Sequence, residues 1–143
     1  MSRGPRPFQT LRDAIPIARM RGTVQMAKHG PESLFDFTIA GAKPVAFVCV
    51  KYTEYIRAVL ADIARDCDDE IRRLRSVTQD AALSCELWLR SRYGTWRFFR
   101  VTTDVLMELG RDGLPLAAKA QEDEFEKFLK NIFEKVSGAC EIS

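Results

Sequence analysis

Asp36 and Lys51 are the two residues around which a reaction could be built. Asp36 lies in the apolar run Leu34 to Ala40, and Lys51 ends the run that starts at Val45. Both runs are rich in Val, Phe and Ile, and the turn Gly41-Ala42-Lys43-Pro44 parts them, so they read as an antiparallel pair of strands. A strand period of two puts positions 49 and 51 on one face, beside Asp36 on the neighbouring strand. An acid and a base so placed make either a cross-strand ion pair or the core of a reacting site. Further acids lie nearby in sequence: Glu54, Asp62 and Asp66 in the segment after Lys51, and Glu86 on a later strand. An amphipathic helix needs acids on its wet face in any case, so each has a plain structural reading too. Other catalytic material is scarce. The lone histidine, His29, precedes Gly30-Pro31 and reads as a cap on the last carbonyls of a helix. No G-x-S-x-G, Walker A or G-x-G-x-x-G pattern is present, so serine hydrolases and nucleotide cradles have no support.

A second feature is the hairpin Leu87 to Arg100, in which Arg90, Arg92, Arg97 and Arg100 interleave with Trp88, Tyr93, Trp96, Phe98 and Phe99. Guanidinium forks beside flat rings suit phosphates and stacked bases, which makes these arginines a candidate nucleic-acid surface. The plain alternative is that they cover aromatic core residues. A third feature is the last helix, where Phe125, Phe128, Leu129, Ile132, Phe133 and Val136 follow helical spacing opposite an acidic face. That stripe either packs on the domain or pairs with a second copy as a homodimer.

The elements that must position these residues follow from periodicity. Ile17, Met20, Val24 and Ala27 predict a first helix over about 13–29, with Asp13 as its cap. Ile56, Val59, Leu60, Ile63, Cys67, Ile71 and Leu74 predict one long helix from Thr53 or Glu54 to Arg75. Ala82 to Arg90 alternates, and the turn Ser91-Arg92-Tyr93-Gly94 leads into a strand from Thr95 to Val101. Thr103 or Asp104 caps a short helix ending at Gly110, and the Phe-rich helix follows. The expected order is α-β-β-α-β-β-α-α, an α/β fold (α+β as the alternative) with helices flanking a central mixed sheet.

The length of 143 residues fits one domain, with 1–12 a basic leader, 13–101 the core and 102–143 C-terminal helices. Six basic residues stand against Asp13 alone in the first thirty, although the whole chain is only +2. Such an arm makes at most a local phosphate-binding patch. The longest wholly apolar run, Val45 to Val50, is far short of the ~20 residues of a membrane helix. Cys49, Cys67, Cys85 and Cys140 are scattered with no C-x-x-C pair, which points to reduced thiols in a cytoplasmic protein and away from disulfides or zinc.

An acid in one strand, a lysine ending the next, and the order α-β-β-α-β over about Asp13 to Val101 resemble the PD-(D/E)xK nuclease superfamily, which includes Holliday junction resolvases and restriction enzymes. The resemblance implies a restriction-endonuclease-like core that binds or cleaves DNA by Mg²⁺-dependent (or Mn²⁺-dependent) phosphodiester hydrolysis. It assigns Asp36 as a metal ligand and Lys51 as the residue that supports the attacking water. The sequence departs from the pattern at the second acid, where Cys49 stands. A soft thiol is a poor exchange for a carboxylate on a hard cation. Family members that shift this acid into the next helix make Glu54, Asp62 and Asp66 the substitute metal ligands, with Glu86 a further candidate. The alternative reading is an inactive nuclease-like scaffold serving as a protein- or nucleic-acid-interaction module.

Overall fold

The computed structural model describes residues 8–28, 33–41, 44–77 and 82–141. Along the chain run α1 (Phe8–Arg19), β1 (Thr23–Met26), β2 (Phe37–Ala40), β3 (Val45–Tyr52), α2 (Leu60–Asp66), α3 (Asp68–Ser76), β4 (Leu83–Arg90), β5 (Trp96–Val101), β6 (Leu106–Leu109) and α4 (Leu116–Glu141). The strands form one mixed sheet in the order β1-β2-β3-β4-β5-β6. Its only parallel pair among the described strands is β3 with β4, joined by the crossover through α2 and α3. All other neighbours are antiparallel. The architecture is the expected mixed α/β one, a central mixed sheet with helices on its faces.

Alternation in β3 and β4 splits the core into two layers. Ala46, Val48, Val50 and Trp88 face α1, where they meet Leu11, Ala14, Ile17 and Ala18. Cys49, Cys85, Leu87 and Leu89 face the other way, onto Ile63 of α2 and Ile71 and Leu74 of α3. Burial on both faces explains why β3 reads as a continuous apolar run.

Four expectations need correction. The first helix begins at Phe8, within the expected leader, and ends at Arg19. Asp13 lies in its middle, where it bonds Gln9 and pairs with Arg90, so it caps nothing. Beyond α1 the chain turns and pairs as β1 against β2. Gly22 sits so close to the Ala40 carbonyl that a Cβ there would collide, which fixes where helix gives way to strand. The expected long helix is two: α3 restarts after Cys67, whose φ of −111° leaves the helical region. Asp68, Asp69 and Glu70 at the start of α3 and Arg73 and Arg75 at its end complement its dipole. Finally, the expected helix after Thr103 is strand β6. Thr102 bonds Val105 through both main chain and side chain, and this tight reversal returns the chain along β5. His29 and the side chain of Cys140 lie outside the described residues.

Candidate functional site

The site that sequence singles out lies at the carboxyl ends of the parallel pair β3 and β4, a position where open α/β sheets commonly leave a crevice. A cleft of about 290 Å³ opens there, bordered by Lys51, Arg57, Ile63, Asp66, Cys67 and Leu89. Lys51 enters it from the face of β3 that carries Cys49. Its ammonium donates to the Asp66 carbonyl at 2.9 Å and pairs with the Glu70 carboxylate at 3.3 Å. Its side chain is 28% exposed, and that of Glu70 only 9%. The partner of Lys51 is therefore an acid on α3.

Asp36 is buried just ahead of β2. Its amide and that of Ala27 tie this corner together, with Asp36 N–H donating to Val48 O and Ala27 N–H to Asp36 O. The Asp36 carboxylate accepts the Val50 N–H at 2.7 Å, which places it against the peptide that follows Cys49. Cys49 itself is 1% exposed and packs among Ile63, Leu87 and Leu89.

The remaining acids are dispersed. Asp62 pairs with Arg65, and Asp66 with Arg57 and Arg65, on the exposed side of α2. Glu54 is exposed in the loop after β3. Glu86 is fully buried on the α1 face of β4, opposite to the face of Lys51. Among the described residues, no three His, Cys, Asp or Glu side chains gather in a way that could hold a metal ion. The expected set Asp36, Glu54, Asp62 and Asp66 is thus not drawn together, because the α2 acids turn outward to arginines. A hard divalent cation wants several oxygen ligands, and the donors present here do not fit it.

Among the described residues the thiols of Cys49, Cys67 and Cys85 are all buried. Burial pushes the Cys67 thiol up to about 11, against a smaller opposing pull from Lys51. Between pH 9 and 11 an unfolded thiol ionises while Cys67 keeps its proton, so Cys67 makes stability fall as pH rises through that window. The expected result at pH 8 is a Cys67 that resists a thiol-specific reagent in the native protein and reacts promptly once unfolded. Fast native labelling of Cys67 would contradict its burial.

The hairpin arginines do not share a surface. The register of β4 with β5 places Arg90 and Arg100 on the α1 face and Arg97 on the Lys51 face. Arg90 pairs with Asp13 at 3.1 Å, and Arg100 donates to the Leu83 carbonyl. Arg97 grips Glu108 through two bonds of 2.8 and 2.7 Å, and this hydrogen bonding to Glu108 raises the guanidinium pKa. Arg92 stands exposed in the turn, 6.0 Å over the Tyr93 ring. These arginines mostly brace the sheet, because strand alternation separates them.

Two functional-type residues escape a reading based on motifs. Glu70 lies on the apolar stripe Ile63-Cys67-Glu70-Leu74 at helical spacing, and a carboxylate on such a stripe signals a buried partner. Arg21, counted in sequence with a basic arm, is a buried partner of Glu86 instead.

No protein-family model matches the chain, and no curated protein does. Among solved structures, the chain is similar to that of Archaeoglobus fulgidus Hjc, a Holliday junction resolvase from an archaeal hyperthermophile, with a TM-score of 0.48, 19% identity, and coverage of 79% of this chain and 98% of that one.

Proposed function

We propose that this chain is an interaction module on a nuclease-like scaffold, without phosphodiester hydrolysis of its own. One observation carries the reading. The position two before Lys51, where the PD-(D/E)xK resemblance calls for an oxygen ligand, is a thiol sealed in the core at 1% exposure. Lys51, the residue that would face an attacking water, is held by Glu70 and the Asp66 carbonyl. The order α1-β1-β2-β3, crossover, β4 and the placement of Asp36 and Lys51 support the scaffold half of the proposal.

A metal-dependent nuclease is the second reading, favoured by the cleft that Lys51 and Asp66 share. Incubation with supercoiled plasmid and with duplex, single-stranded and four-way branched DNA, with Mg²⁺ or Mn²⁺, separates the two. No cleavage is expected under any condition. Metal-dependent nicking that is lost in Lys51→Ala would overturn the proposal. Any DNA binding should be salt-sensitive with a log–log slope shallower than about −3.6, the value for four phosphate contacts. Arg90, Arg97 and Arg100 already have acid or carbonyl partners.

A further inference from the structure

Helix α4 runs for 26 residues from Leu116 and meets the sheet near its start, where Pro115 bridges to Leu109 of β6. Farther along it carries a stripe that none of the described residues covers. Phe125 is 60% exposed, Phe128 59%, Leu129 41%, Ile132 42% and Phe133 73%. At ~200 Å² for a large side chain in the open, these five leave about 500 Å² of apolar surface in water, at the upper end for a monomer. Two copies facing each other would bury ~1,000 Å², about the threshold of a specific interface.

We propose that α4 pairs antiparallel with α4 of a second copy of this chain, across a two-fold axis near Phe128. Charge order selects the occupant and its direction. Glu126 and Lys130 stand one turn apart on one flank of the stripe, and Glu124 lies toward the other flank. In an antiparallel pair like flanks meet, so Glu126 of each copy faces Lys130 of the other. In a parallel pair unlike flanks meet, which sets Glu126 level with Glu124 of the second copy and makes acids repel. The helix is thus self-complementary in one direction only. The stripe is also too wide for solvent: three of its five members are phenylalanines on a face with no polar interruption from Phe128 to Leu129 or from Ile132 to Phe133.

Sedimentation velocity over a concentration series tests the pairing in the full chain. The wild type is expected to pass from monomer to dimer as concentration rises. Phe128→Glu should stay monomeric, with the thermal transition that the wild type shows at concentrations where it is monomeric, since Phe128 belongs to neither core cluster. A charge exchange then reads direction. Glu126→Lys alone and Lys130→Glu alone should each weaken association by about tenfold or more, equivalent to ~1.4 kcal/mol. An equimolar mixture of those two variants should restore it as a heterodimer. A wild type that remains monomeric throughout, or a dimer that survives Phe128→Glu, would overturn the proposal. Tighter association of Glu126→Lys would overturn the antiparallel direction.

Discussion

Glu86→Ala is expected to destabilise the protein by about 3–5 kcal/mol, because it strands a buried guanidinium without its counter-charge. Glu86 is fully buried, and its two oxygens accept from Arg21 at 2.7 and 2.8 Å. The same carboxylate accepts from Ser84 at 2.8 Å and from the Trp88 indole at 3.0 Å. The Arg21 side chain is only 9% exposed, lies 5.9 Å over the Trp88 ring, and is roofed by Gly113, where a Cβ would collide with the guanidinium. Gly113 also needs its φ of +84°, so the roof tolerates no side chain on either ground. Arg21→Ala should cost a similar amount, since it leaves the carboxylate buried in turn. Removing both partners should cost less than the sum of the single changes. Chemical denaturation of the three variants gives the numbers, and the thermal midpoint of either single variant should drop on the order of 10 °C. Full additivity would mean that the two groups do not stabilise each other.

This cluster also shows why the sequence was legible in part. Strand β3 is plain from its apolar run, β4 from its alternation and β5 from the turn before it, because β3 packs both faces and the others pack against neighbours in the sheet. The amphipathic stripes that predict the crossover helices were likewise readable, since Ile63, Cys67, Ile71 and Leu74 keep one helical phase through the break at Cys67. What escaped depends on partners distant in sequence. Arg21 looks like one more basic residue of an exposed arm until it is brought 65 residues along to Glu86. Strand β1 escaped because Val24 and Ala27 continue the helical phase of Ile17 and Met20. The pairing with β2 and the close approach of Gly22 to Ala40 decide against helix there. Strand β6 escaped because Thr103-Asp104 is as good a cap as a turn, and its strand pairing is set by Val101 and Phe98 of β5. At the site, Asp36 and Lys51 were legible and Glu70 was not. Glu70 stays hidden because a lysine on a strand can reach a helix packed above it as readily as an acid on the next strand.

Introducing an acid at position 49 should damage the fold more than any surface change. Cys49→Asp is expected to destabilise by about 3 kcal/mol or more, since the new carboxylate would enter an apolar layer. It would also lie one peptide from the Asp36 carboxylate, which rests on the Val50 N–H. Both burial and the neighbouring acid would raise the pKa of the introduced group above its unfolded value. Its penalty is then absent at low pH and grows as pH rises past the ordinary carboxylate range. Denaturation curves from pH 4 to pH 8 should therefore diverge from those of the wild type toward the alkaline end. Parallel curves would mean that position 49 is better solvated than its 1% exposure implies.

Calorimetric titration of the wild-type protein with Mn²⁺, the more forgiving of the two cations, reads the central claim most directly. A chain with a buried thiol at position 49, and with Lys51 held by Glu70, should give no saturable heat. One Mn²⁺ bound per chain, and lost in Asp36→Asn, would contradict the account and restore a metal centre to this cleft.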